Sequence, residues 1–374
     1  MSTTFTPGLR VAETTLITKD RILPLQGDVI VSKGQHLLAE EVVARTELPG
    51  KVTPVNAANV LGCLPGEVRK ALLVKEGDQI EQGQIIAAAK SFFGMFTSKL
   101  KSPITGSLDS VSDVTGQLIL RDPPLPVEVE AYIDGRVTEV YKDEGVEVQA
   151  VGTLIQGIFG VGGETYGSIK MCCAAPADVF DVQEIPEDAE QKILIGGSLV
   201  TYEAVRKAID LKAAALVVGG FDSFDLKKLL GYEQGVAITG SEQLGITLIL
   251  TEGFGKIAMA NRTFELLKKN DGRKASCSGA TQIRAGVMRP EIIIAKKDVT
   301  HHTEEVNQVA PLEVGALVRI IREPHFGALG RVTALPPELT ALETEAKVRV
   351  LEVELEGTQQ RITLPRANIE MIED

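Results

Sequence analysis

VIVSKGQHLLAEEVVA (29–44) lies over LLVKEGDQIEQGQIIA (72–87) without a gap. Gly34 falls on Gly77, Leu37 on Ile80, Val42 and Val43 on Ile85 and Ile86, and Ala44 on Ala87. Self-similarity at a fixed spacing marks a duplicated supersecondary unit. Each copy reads as a strand, a tight turn at a glycine that can take positive φ, a short bridge and a second strand. Both copies run on to a proline–glycine turn, LPG at 48–50 and SPITG at 102–106. With AYIDGRVTEVYKDEGVEVQAVGTLI (131–155) the pattern becomes many short strands at regular spacing, which predicts a compact all-β sandwich or barrel over 20–175. Residues 1–19 read as an N-terminal arm.

KEGDQIEQGQIIA followed by SPITGSLDSV resembles the biotinyl/lipoyl-type barrel-sandwich hybrid, a fold that RnfC-type proteins and large RNA polymerase subunits also use without a prosthetic group. In carrier members a lysine stands at the hairpin tip. Here Met95 occupies the corresponding place in SFFGMFTSK, and Lys90, Lys99 and Lys101 only flank it, so the resemblance implies a non-carrier unit. Phe92, Phe93, Met95 and Phe96 cluster on that loop and are candidates for protein contact, the alternative being a loop folded onto its own core. GIFGVGGETYG (157–167) resembles glycine-rich segments of RnfC-like flavin-binding subunits, which would make Gly160, Gly162 and Gly163 candidates for holding a flavin or nucleotide phosphate. No Walker lysine follows and no helix opens from the segment, as a glycine-rich β-turn would also read.

Over 188–295 the period changes. KILIGG, AALVVGG and ITLIL alternate with YEAVRKAIDLK, FDLKKLLG and KIAMANRTFELLKKN, an order that predicts a parallel sheet covered by helices. Thr201, and Asp222 or Ser223, stand where N-caps are needed. Ligands of open α/β sheets bind beyond the carboxyl ends of the strands, so Gly196, Gly197, Gly219 and Gly220 are weak cofactor-binding candidates, with Asp222 and Glu252 near the same rim. Gln282, Arg284 and Arg289 add polar groups able to meet an anion.

KKDVTHHTEEVNQVAP reads as a linker over 296–310; His301 with Glu304 or Glu305 has ligand spacing but makes no complete metal site. From residue 311 to 374, VGALVRIIREPHFGALGRV and the strands after it resemble a KOW motif in an SH3-like small barrel, as in NusG-type elongation factors and some ribosomal proteins. That resemblance implies contact with RNA, ribosome or RNA polymerase through Arg322, His325 and Phe326, with Arg319, Arg331 and Arg349 on one side. Charge weighs against it. Residues 311–374 hold seven Lys/Arg and eleven Asp/Glu, whereas phosphate neutralisation needs a basic face.

The whole chain of 374 residues carries −12, with 44% hydrophobic residues and no tryptophan, so it buries real cores and presents an acidic exterior. Four cysteines without CxxC spacing read as reduced thiols; adjacent Cys172 and Cys173 would point to opposite sides of a strand. Neither a signal segment nor a membrane-length apolar run is visible, which predicts a cytoplasmic protein. No nucleophile, base and orienting group assemble from local spacing. The sequence therefore reads as a non-enzymatic adaptor with protein partners or further copies of itself, with no cofactor. A KOW-type factor of transcription or translation, and a flavin- or ligand-binding accessory protein, are the alternatives.

Overall fold

The computed structural model describes residues 6–90, 97–231, 244–281, 288–296, 312–320, 325, 328–341, 347–355 and 360–372. The chain is mostly β, built around one large mixed sheet and several small ones. Its first half is a duplicated unit, and one copy is inserted into the other.

The duplication extends to single hydrogen bonds. Gly34 and Gly77 adopt φ of 89° and 92°, and their N–H groups donate to Val137 O and Leu108 O, each at 2.7 Å. Ser32 N–H is held by Gln35 Oε1 at 3.1 Å, as Lys75 N–H is by Asp78 Oδ2 at 2.7 Å. Leu38 N–H meets Glu41 Oε2 at 3.1 Å, as Glu81 N–H meets Gln84 Oε1 at 2.8 Å. Such side-chain-to-backbone bonds satisfy donors that a tight turn leaves without a ladder partner.

The second half of each copy differs from the sequence reading. SPITG pairs with the first-half strand of its own copy, Gly106 opposite Ile80, but the counterpart of SPITG is AYIDG, where Gly135 faces Leu37. LPG at 48–50 is not its equivalent. Strands Val42–Leu48 and Leu125–Glu130 pair antiparallel and end with Leu48 opposite Leu125. At that point the ribbon enters the second copy: Asp122 N–H donates to Lys51 O at 3.0 Å, and Val52–Asn56 continues against Gln117–Arg121. The inserted copy has its own core of Leu61, Val68, Ile80, Ile86, Leu100, Leu108, Leu118 and Leu120, separate from the host core of Ile17, Val43, Ile133, Val137, Val146 and Val148.

The mixed sheet joins host unit to α/β region. Four strands run parallel, in the spatial order Thr247–Phe254, Ala215–Phe221, Lys192–Ile195 and Glu164–Met171. Ala215–Phe221 is buried at every position, as a strand covered on both faces must be. Helices Tyr202–Asp210 and Ser223–Leu230 contribute Val205 and Leu226 to the core on one face; helix Asn261–Lys269 contributes Phe264 and Leu267 to the other. The caps form where the sequence placed them: Thr201 Oγ1 accepts from Ala204 N–H at 3.2 Å, and Asp222 Oδ1 from Phe224 N–H at 2.8 Å. Lys274–Ser278 and Glu291–Ala295 then run antiparallel back to Gly145–Gln156 of the host unit.

The C-terminal sheet holds Leu317–Ile320, Leu329–Ala334, Lys347–Leu355, Arg361–Pro365 and Ile369–Ile372. It also recruits Thr6–Leu9, parallel to Ile369–Ile372, so the expected arm is a strand of this sheet. Val11–Ile22 goes on to pair along Gly145–Gln156. Both ends of the chain thus meet in one sheet. Among the described residues no helix is long and apolar enough to cross a membrane.

Candidate functional site

Among the described residues, a set of mutually paired polar side chains lies in the seam where the host unit rests on the mixed sheet. Strand register builds one wall: Glu164, Ser278 and Glu291 stand side by side on three neighbouring strands, as do Tyr166, Ser276 and Ile293 in the next row. The host unit supplies the other wall with Lys19, Arg21, Glu40, Tyr132 and Asp134. Arg21 grips Glu164 with both Nη atoms, at 2.8 and 2.7 Å, donates Nε to Glu130 O at 2.7 Å, and lies 5.3 Å from the Tyr132 ring centroid. Lys19 pairs with Glu291, whose Oε1 also accepts from Tyr132 Oη at 3.3 Å. Lys274 bridges Glu40 at 2.5 Å and Asp134 at 2.8 Å. Tyr132 is buried and left-handed, with φ 69°, a conformation that costs a non-glycine residue energy and that the surrounding bonds impose.

Electrostatics in the seam follows these contacts. The hydrogen bond from Lys274 holds the Glu40 carboxyl below its usual range. Burial would lower the Lys274 ammonium, but the bonds to Asp134 and Glu40 outweigh it and raise the pKa. Burial, reinforced by nearby Glu164, lifts Glu130. Every cation of the seam has a carboxylate partner, so these groups bind one another. A depressed Glu40 pKa stabilises the fold above the unfolded carboxylate value, near pH 4, and that contribution disappears as pH falls through the folded value. Lys274→Ala is therefore expected to lower Tm at pH 7 and to make little difference at pH 3, a contrast that thermal denaturation at the two pH values checks.

The carboxyl ends of the parallel strands, where a ligand crevice was expected, are crossed by the chain itself. Gly196 N–H donates to Val217 O at 2.9 Å and Gly219 N–H to Gly197 O at 2.7 Å. Ile257 N–H reaches Ser198 O at 3.1 Å, and Met259 N–H reaches Pro176 O at 3.1 Å. A Cβ on Gly197 would stand 2.3 Å from Asp178 O, on Gly219 2.2 Å from Ile257 O, and on Gly220 2.0 Å from Gly255 O. These glycines permit backbone to cross backbone. Asp222 is spent on its N-cap, and Glu252 is buried. Arg289 is half-buried, and Gln282 and Arg284 lie outside the described residues.

The glycine-rich segment is engaged in a similar way. Phe159–Val161 pairs antiparallel with the strand Thr247–Phe254. Gly160 N–H donates to Thr281 Oγ1 at 2.8 Å, and that hydroxyl donates back to Gly160 O at 3.1 Å. Gly162 has φ of 91°, and Gly163 O accepts from Thr247 Oγ1 at 2.9 Å. Strand Glu164–Met171 stops before the paired cysteines, so Cys172 and Cys173 both pack with the same core instead of facing apart. Burial pushes their thiols up to about 12 and about 11, and raises Cys277 as well, which leaves all three protonated and poorly nucleophilic.

In the C-terminal sheet Arg319 is absent from the expected arginine side. Arg319 is buried and reaches across to Glu252 of the parallel sheet, each side chain 7% exposed. Glu252 Oε1 also accepts from Ala260 N–H at 2.9 Å, at the start of helix Asn261–Lys269. Arg331 donates to Gly315 O at 3.3 Å, and Arg349 is exposed. His325 is half-buried, with its carbonyl accepting from Ala328 N–H. Arg322 and Phe326 lie outside the described residues, as do Phe92, Phe93, Met95 and Phe96 and the histidine-bearing linker. The Glu252–Arg319 pair and the seam leave no signal in the sequence, since both join residues far apart in the chain. Comparison of the chain with protein-family models and with curated proteins finds no match to either.

Proposed function

We propose that this chain is a non-enzymatic, cytoplasmic adaptor: a barrel-sandwich-hybrid unit carrying a second copy of itself, an α/β body and an SH3-like C-terminal domain, which together dock other proteins in a larger complex. What supports this reading above all is the inserted copy. It has its own core, is joined to the host through one two-stranded ribbon, and exposes apolar side chains: Leu64 at 70%, Leu73 at 63% and Val114 at 87%. Exposed apolar groups on a separately cored module are available to a protein partner without disturbing the host core. The cations of the seam are committed to carboxylate partners, and Gly197, Gly219 and Gly220 serve crossings of the chain. The burial of Arg319 removes a principal cation from the RNA-contact alternative.

Because Leu48 and Leu125 are directly paired, residues 49–124 can be replaced by Asn-Gly, the turn that joins paired antiparallel strands. The shortened chain is expected to keep a cooperative thermal transition and to lose the proteins that co-purify with the full chain from its native host. An unchanged set of co-purifying proteins would sink the adaptor reading for this module.

A further inference from the structure

The inserted copy carries a face that its host copy does not, and its charge points to one kind of partner. Strands Ile85–Lys90 and Thr97–Lys101 form a hairpin in which Ala87 pairs with Leu100 and bridges Leu72. Those three side chains form the inner face and belong to the module core. Alternation then sets Leu73, Ala88, Lys99 and Lys101 on the opposite face. Lys99 and Lys101 are exposed, and so is Leu73 at 63%. Lys90 stands across from Thr97 in the same register.

These lysines stand in the longest stretch of the chain without an acidic residue. Residues 82–108 contain Lys90, Lys99 and Lys101 and neither Asp nor Glu, in a chain whose net charge is −12. Elsewhere Lys19, Lys192, Lys269 and Lys274 are each held by a carboxylate. Lys99 and Lys101 pair with no described carboxylate, although Asp109 and Glu81 belong to the same module. An acid-free strip on an acidic protein is a place where an anionic partner meets attraction locally while the remaining surface repels it, which fixes where such a partner lands.

We propose that this outward hairpin face docks an acidic, apolar-anchored segment of a partner protein, with Lys99 and Lys101 facing its carboxylates and Leu73 meeting its apolar side chain. The inference rests on the adaptor reading and adds the chemistry of the partner. A protein segment is favoured over RNA because three lysines neutralise few phosphates, and the long polyanion would run on over acidic surface. It is favoured over a second copy of this chain because two bodies of net charge −12 repel one another, whereas a short acidic segment carries little of that repulsion.

The test uses the full-length protein, a fluorescein-labelled peptide (Glu-Leu-Glu) repeated four times, and a labelled twelve-nucleotide oligouridylate, at low and raised salt. The wild type is expected to bind the peptide more tightly than the oligouridylate. K99E/K101E should weaken peptide binding about tenfold, L73S should weaken it to a lesser degree, and K33E, on the exposed turn of the host copy, should leave it unchanged. All three variants change exposed side chains, and equal Tm values verify that the fold is kept. Equal peptide binding by K99E/K101E and wild type overturns the proposal, as does no peptide binding at low salt. Tighter binding of the oligouridylate overturns the choice of a protein partner. If native partners are lost on excision of 49–124 but retained by K99E/K101E, the adaptor reading stands and this face is excluded.

Discussion

Replacing Arg319 by Met is expected to destabilise the protein by about 3–5 kcal/mol, because it strands the Glu252 carboxylate where water cannot solvate it. The pair spans two regions of the chain: Glu252 lies in strand Thr247–Phe254 of the mixed sheet and Arg319 in strand Leu317–Ile320 of the C-terminal sheet. Each charge is expensive to bury alone, and together they are tolerable only with their hydrogen bonds complete. Glu252→Gln should cost less than Arg319→Met, since the amide oxygen can still accept from Ala260 N–H and cap the helix start. The double variant Glu252→Gln with Arg319→Met is expected to be more stable than Arg319→Met alone, because no uncompensated charge is left. Urea unfolding of the four proteins closes the cycle, and additive effects would mean that the two side chains do not interact. Functionally, a loss of this size would uncouple the C-terminal sheet from the body while strand Thr6–Leu9 still tethers it.

Much of the architecture was legible in the chain. The glycines at 34 and 77 were readable because a turn with positive φ admits few other residues, and the helix caps at Thr201 and Asp222 were readable because their chemistry is local. The nesting of one copy within the other was not. Its signal is present, since 102–120 overlays 131–149 without a gap, with Ile104, Gly106 and Gly116 on Ile133, Gly135 and Gly145. The Pro–Gly turn at 48–50 masks it, because it lies nearer in the chain to the first half of its copy. Alternation in strand Leu317–Ile320 marks Arg319 as lying on a polar face, but the period of a strand does not say whether that face meets water or another sheet. The seam is hidden for a related reason. Lys19, Tyr132, Glu164 and Glu291 are spread over most of the chain, and only the register of the mixed sheet brings them together. The rim glycines are ambiguous in the sequence because glycine is needed equally for a ligand's approach and for a backbone's.

Gly220→Ala separates those two uses of glycine. The strand Ala215–Phe221 is held on both sides by parallel neighbours, and Gly220 sits opposite Gly253 at a register shift. A methyl group there would be 2.0 Å from Gly255 O and 3.1 Å from Gly253 O, both backbone atoms. Gly255 cannot retreat without giving up its N–H bond to Phe221 O at 2.9 Å, and that bond holds the turn leading to Ile257 and Met259. Relief must therefore come from moving a strand or breaking the crossing, at a cost of about 3 kcal/mol or more. Gly163→Ala provides the contrast, because nothing lies within 4 Å of its Cβ position, and it is expected to change stability by no more than about 0.5 kcal/mol. Chemical denaturation of both variants reads the difference. If the glycines at the strand ends served only to let a ligand approach, Gly220→Ala would fold like the wild type, and the chain crossings would not explain their presence.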